Sequence, residues 1–201
     1  MSAAVARGTV IFGSYDGHFF GVDSRTGAVK WKLATGPLVP FPWGHESGDR
    51  YTSSPTIAND VAVFGAGDGH IYAVDVATGH VRWRAETQGR VRTSPAVQNG
   101  VVFVSSFDGR VYAFGLSTGK QRWRFDTDGA ALNSGIYGFD RRSIQSSPAV
   151  ANGVVFVGAR DGFVYAIGAD DGKLRWRFDH KISWINSSPA VAMSHPERTE
   201  G

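Results

Sequence analysis

The chain has 201 residues, with 21 basic and 18 acidic side chains for a formal net charge of +3, 26 glycines and no cysteine. That length can bury one sizeable core, and the lack of cysteine excludes disulfides and thiolate metal sites in either redox compartment. A charge balance this even, with no basic run, argues against nucleic acid despite a sequence pI near 9.3. No apolar stretch reaches the ~18 residues a bilayer span needs, and no basic-then-apolar signal segment opens the chain.

In chain order, one unit recurs. Ser2-Ala3-Ala4-Val5 opens a first copy that passes through Asp16-Gly17 and ends at Trp31-Lys32. A second runs from Ser54-Pro55 through Asp68-Gly69 to Trp83-Arg84. A third runs from Ser94-Pro95 through Asn99-Gly100 and Asp108-Gly109 to Trp123-Arg124. A fourth runs from Ser147-Pro148 through Asp161-Gly162 to Trp176-Arg177. Ser188-Pro189-Ala190-Val191 begins a fifth, and Met193 to Gly201 is a polar tail outside the template. Each Asp stands 15 residues before its Trp, and both series step by 52, 40 and 53. Finding such a period comes before any motif reading.

The turns fix the local structure. Asp-Gly and Asn-Gly supply the positive φ that two-residue hairpin loops require. Their flanks, such as Val101 to Val104 and Val111 to Phe114, are β-branched or aromatic and apolar on both faces, so the strands are expected to be covered on both sides. Each unit therefore reads as a four-stranded antiparallel meander, strands A to D, and meanders of about 40 residues stack radially as propeller blades. The predicted fold is an all-β propeller of four-stranded antiparallel blades, four blades plus the start of a fifth. Residues 1–192 form the propeller, with blades near 2–36, 53–88, 93–128 and 146–181 and a stub at 187–192, and residues 193–201 form the tail. Trp31, Trp83, Trp123 and Trp176 are expected to dock blade on blade. Burying each removes roughly 150–250 Å² from water, worth up to about 4–6 kcal/mol.

The segments Ala73 to Trp83 and Ala113 to Trp123 resemble the tryptophan-docking motif of the pyrroloquinoline-quinone-type (PQQ-like) β-propellers. Gly21 to Trp31 and Ala166 to Trp176 match more loosely, with Gly21 in place of Ala and Asp171 in place of Thr. With the Ser-Pro and Asp-Gly elements the resemblance covers nearly all of residues 2–191. It is specific for fold and not for function. It implies rings of seven or eight blades with strand A lining the central channel. Its members include calcium-dependent quinoprotein alcohol dehydrogenases, the lipoprotein scaffold of outer-membrane protein assembly, and sensor domains of bacterial kinases. Four blades and a stub leave two apolar end faces, which implies a fragment of a longer reading frame, a protomer that pairs with itself to complete the ring, or a strained four-bladed closure.

Function is expected where the repeats differ. The gaps from Trp to the next Ser of strand A are 23, 11, 24 and 12 residues, so every second junction carries an insertion. The near-equal spacings Asp16 to Asp108, 92, and Asp68 to Asp161, 93, suggest duplication of a two-blade module. Strand parity puts both insertions and all four Asp-Gly turns at one mouth of the ring. The insertion from Gly36 to Arg50 holds Trp43, His45 and Arg50; that from Gly129 to Ser143 holds Tyr137 and Arg142. Aromatics mixed with charges on protruding loops suit a protein or peptide partner, although such loops also simply pack on the propeller face. A second set, two residues before each strand-A Ser, is Thr52, Arg92, Gln145 and Asn186, read either as facing a ligand on the axis or as solvated strand starts.

No catalytic or metal-ligating set is assigned. His45-Glu46 with Asp49 is not a ligand spacing, and no nucleophile elbow, Walker loop or Gly-x-Gly-x-x-Gly occurs. The sequence therefore favours a non-catalytic binding scaffold with no cofactor. Under the alternative implied by the resemblance, a piece of a quinoprotein oxidoreductase, the cofactor is PQQ with calcium; the cysteine pair of those enzymes is absent here. The resemblance also implies a periplasmic or extracellular location.

Overall fold

The computed structural model describes residues 2–37, 52–132, 140–181 and 184–191. The first blade is β1 (Ala4–Ala6), β2 (Thr9–Gly13), β3 (His18–Asp23) and β4 (Val29–Ala34). The second is β5 (Thr56–Ala58), β6 (Val61–Gly65), β7 (His70–Asp75) and β8 (Val81–Glu86). The third is β9 (Ala96–Gln98), β10 (Val101–Ser105), β11 (Arg110–Gly115) and β12 (Gln121–Asp126), and the fourth β13 (Ala149–Ala151), β14 (Val154–Gly158), β15 (Phe163–Gly168) and β16 (Leu174–Asp179). Each set pairs in sequence order as its own antiparallel sheet, and a short 3₁₀ turn, Asp128–Ala131, is the only helical element among the described residues. This is the all-β propeller-type architecture that the repeat predicts.

The first turn of each blade is a two-residue loop with positive φ at both positions, as in Asn99 (φ 50°) and Gly100 (φ 73°), which matches the twist of the strands it joins. The Asp-Gly turns depart from expectation. Asp108-Gly109 sits inside a longer loop, closed by Ser106 N–H to Arg110 C=O at 3.0 Å and Gly109 N–H to Ser106 C=O at 3.2 Å, and only the Gly has positive φ. The extra length frees the Asp carboxylate to work beyond its own turn.

The inner strands lie side by side, β1 next to β5, β5 next to β9 and β9 next to β13. The middle strands β6 and β10 are buried along their whole length, because a sheet covers each face. Apolar cores fill the three junctions. Between the first and second blades, Ile11, Phe19 and Trp31 meet Phe64, Tyr72 and Val74; the Phe19 and Phe64 rings stack. Trp31, Trp83 and Trp123 are 7, 9 and 8% exposed. Each lies opposite a small residue, Gly21, Ala73 or Ala113, and a bulge follows that residue. Each indole N–H also donates to a carbonyl of the next blade: Trp31 to Val76 at 3.0 Å, Trp83 to Leu116 at 2.7 Å and Trp123 to Ala169 at 2.8 Å. Apolar burial and a satisfied donor thus act together at every junction.

The ends differ. Trp176 is 49% exposed, and β16 is exposed along its length. The stub is present only as residues 184–191 without assigned strand; Ser147 N–H donates to Ser188 Oγ at 2.9 Å, as Ser94 N–H does to Ser147 Oγ at 2.9 Å. The tail from Met193 lies outside the described residues.

Candidate binding face

The connections between blades and the Asp-Gly turns meet on one face. Each connection first latches onto its own blade: Thr35, Thr87 and Thr127 each give both the backbone N–H and the hydroxyl to the carbonyl of Gly17, Gly69 and Gly109. It then crosses to the Asp of the next blade. Gly36 N–H donates to Asp68 Oδ2 at 2.6 Å, Gln88 N–H to Asp108 Oδ2 at 2.9 Å and Gly129 N–H to Asp161 Oδ2 at 2.8 Å. The same Oδ2 accepts the hydroxyl of Tyr72, Tyr112 or Tyr165, while Oδ1 accepts the backbone N–H of His70, Arg110 or Phe163. Burial, reinforced by the bond to Asp68, pushes the Tyr72 phenol up to about 12. Burial likewise raises the phenols of Tyr112 and Tyr165.

These three tyrosines are the residues that the sequence reading missed. The signal was present as a Tyr four residues after the Asp in three blades, with Phe20 at that position in the first. The clasp explains why an Asp recurs: one oxygen holds its own turn and the other holds the neighbouring blade. It also consumes these carboxylates, so they are not free as acids or bases.

The sequence candidates fall into three groups. Trp43, His45, Arg50 and Tyr137 lie outside the described residues. Arg142 ends the second insertion on this face, its Nε–H donating to Asp108 C=O at 3.1 Å, and the adjacent Arg141 donates to Asp161 C=O at 2.9 Å. Of the strand-A set, Arg92 and Gln145 are half-buried and Asn186 is exposed. Arg92 stacks its guanidinium over Phe107 at 5.1 Å. Thr52 differs from the other three. It is 3% exposed and packs against Gly13, where a Cβ would meet its Oγ1 at 1.9 Å, as Val91 packs on Gly65 and Ile185 on Gly158. The Ser-Pro spacing aligns Thr52 with Arg92, and Thr52 also makes the contact on the preceding blade that Val91 and Ile185 make in theirs.

Arg160 was not singled out by sequence. It is 9% exposed, lies over the Trp184 ring at 3.9 Å, and its Nε has no hydrogen-bond partner. Burial lowers its pKa, with Asp140 opposing. Asp140 is itself buried and caps the loop end, accepting the N–H of Arg142 and Ser143. The face therefore carries guanidinium groups seated on aromatic rings, Arg92 on Phe107 and Arg160 on Trp184, beside carboxylates already engaged.

No group of three or more His, Asp or Glu side chains placed to hold a cation occurs among the described residues.

The family model of the outer membrane protein assembly factor BamB matches residues 41–137 and 108–195. The dehydrogenase subunit of the alcohol dehydrogenase (quinone) of Gluconobacter oxydans is 32% identical over 88 residues, which is 41% of this chain and 12% of that protein. Among solved structures, BamB from Moraxella catarrhalis superimposes with a TM-score of 0.65 at 21% identity, over 89% of this chain and 48% of that one. The quinohemoprotein alcohol dehydrogenase from Comamonas testosteroni superimposes with a TM-score of 0.67 at 18% identity, over 89% of this chain and 34% of that one. At these identities the superpositions show a shared fold. The chain spans about half the length of BamB and less of the dehydrogenases.

Proposed function

The chain belongs to the PQQ-repeat propeller family of the outer membrane protein assembly factor BamB, and from that premise we propose that it is a non-catalytic scaffold whose insertion-bearing face holds a protein or peptide. The observation that carries this reading is the division of labour on that face. Asp68, Asp108 and Asp161 are spent on the inter-blade clasp, while on the same face the half-buried Arg92 lies on the Phe107 ring and the half-buried Arg142 on the Asp108 carbonyl. Guanidinium groups with apolar backing select carboxylates in an extended segment, so the partner is an acidic peptide stretch. An array of extended peptides tests this. Acidic members should bind, and Arg92→Ala combined with Arg142→Ala should weaken them at least about tenfold. Binding that ignores both the acidic residues and the double variant would sink the reading.

The similarity to the alcohol dehydrogenase (quinone) subunit supports a second reading, a piece of a quinoprotein oxidoreductase with PQQ and calcium as its cofactors. Calorimetric titration with both separates the two readings, since a scaffold takes up no heat of binding from them. The family's named task, assembly of outer membrane proteins, supports a periplasmic site of action, with an extracellular one under the same resemblance. No helix among the described residues is long and apolar enough to cross a membrane. Self-association that completes a ring belongs to the scaffold reading as a further proposal.

A further inference from the structure

Arg160 brings a charge to a position where the other blades have none. The residue before the Asp of the Asp-Gly turn is Tyr15, Gly67, Phe107 and Arg160 in the four blades. In the third blade the turn supplies a ring and the connection a guanidinium, with Arg92 on Phe107 at 5.1 Å. In the fourth the roles are exchanged: the turn supplies Arg160 and the following connection supplies Trp184, at 3.9 Å.

The other guanidinium groups around these turns have bonded nitrogens. Arg142 Nε–H donates to Asp108 C=O at 3.1 Å, Arg141 to Asp161 C=O at 2.9 Å, and Arg110 to Gln88 Oε1 at 2.8 Å and Asp126 Oδ1 at 3.2 Å. Arg160 is 9% exposed and makes no hydrogen bond or ion pair among the described residues, and its Nε is fully enclosed without a partner. Burial of an unpaired charge costs more than one stacked ring returns, so packing alone does not account for this residue. Ser143 Oγ, on the connection that Asp140 caps, is likewise buried without a partner. Buried polar groups in native proteins are partnered, so a guanidinium with its donors unused marks a place for an acceptor.

The surroundings decide which acceptor fits. Trp184 covers one face of the guanidinium, which leaves its edge, where the N–H groups form a planar fork, for a ligand. A carboxylate matches that fork with two parallel bonds. The local charge agrees. Arg141 and Arg142 stand at the turns of Asp161 and Asp108, next to Arg160 in the fold, and the nearby carboxylates are engaged: Asp161 by Tyr165 and Gly129, Asp140 by the N–H groups of Arg142 and Ser143. Asp140 acts on Arg160 through space without forming an ion pair. A cation would be repelled here, and an apolar group would leave the donors unused.

We propose that Arg160, seated on Trp184, is the subsite of this face that receives one carboxylate of the bound peptide, from an Asp or Glu side chain or from the chain end. This rests on the scaffold reading above and deepens it: Arg92 and Arg142 favour acidic character along the segment, and Arg160 holds a single carboxylate and so sets the register. Burial makes the subsite selective. A solvated surface arginine accepts any anion weakly, whereas an enclosed fork backed by a ring is satisfied only by a planar acceptor that reaches it.

Acetate alone is the first probe, with sodium chloride at matched ionic strength and neutral acetamide as controls. Acetate should raise the melting temperature of the full chain in a saturable way, because only the folded state holds the subsite, and Arg160→Met should abolish the rise. No rise beyond that given by chloride, or an equal rise in Arg160→Met, would overturn the proposal. Peptides then separate the two sources of the carboxylate. For an acidic peptide that binds, converting Asp or Glu to its amide one position at a time, or amidating the C-terminus, should weaken binding to the unmodified chain at least about tenfold at one position and leave binding to Arg160→Met unchanged there. The sensitive position tells a side chain from a chain end. An acidic peptide that binds with no such position overturns the subsite while the scaffold reading stands. Acetate protection that depends on Arg160, with no acidic peptide bound, supports the carboxylate subsite and sinks the peptide scaffold instead.

Discussion

Tyr72, Tyr112 and Tyr165 give their hydroxyl protons to the Asp four residues earlier, which ties their ionisation to folding. The folded pKa of Tyr72, about 12, lies above the unfolded value near ~10, so its contribution to stability is complete below about pH 10 and is lost as pH rises through 12. Absorbance titration should show three of the six tyrosines ionising only as the fold is lost; ionisation of all of them near ~10 would contradict the clasp. Asp108 accepts three bonds at 2% exposure, so Asp108→Ala should cost about 2–4 kcal/mol in a denaturant melt, against about 1 kcal/mol for Tyr112→Phe. Arg160 behaves oppositely. Its charge is buried without an ion pair among the described residues, so Arg160→Met should leave the melting temperature unchanged or raise it. A clear fall in melting temperature would mean that the stack on Trp184 outweighs the cost of burying the charge.

At the scale of the blade, one residue type has two energetic fates. Trp123 is 8% exposed and bonded to Ala169, and truncating it to Ala should cost about 3–5 kcal/mol. Trp176 has the same sequence context but no following blade among the described residues, so in this chain Trp176→Ala should change stability by no more than about 0.5 kcal/mol. Chevron or equilibrium unfolding of the two variants reads the difference directly. Gly172 sits beneath the Trp123 indole with φ +67°, so Gly172→Ala should destabilise through both backbone strain and contact, where Gly27→Ala, with nothing within 4 Å, suffers the backbone strain alone. The repeat makes this comparison possible because it supplies matched positions that differ only in what lies across the junction.

At the scale of the molecule, any association of folded copies would couple stability to concentration. If two copies close the ring, the melting temperature rises with protein concentration, because only the folded state associates. A melting temperature independent of concentration would count against self-association. The mouth is insensitive to this equilibrium, because its clasps are made within one chain at all three internal junctions.

The blades, their four-strand order and the place of each Trp were legible in the sequence, because turn residues and strand patterning act over a few neighbours and recur at a fixed period. Strand parity also put the connections and Asp-Gly turns on one face, which is a matter of counting strands. Three things needed the tertiary structure. The clasp brings a backbone N–H from the preceding blade's connection onto the Asp oxygen that also holds the Tyr, so a turn signal accounts for only one carboxylate oxygen. Thr52 packs against Gly13 of the preceding blade, a contact that its distance from Ser54 does not encode. And Trp176 differs from Trp31, Trp83 and Trp123 by what lies across from it, which no residue near it in the chain encodes.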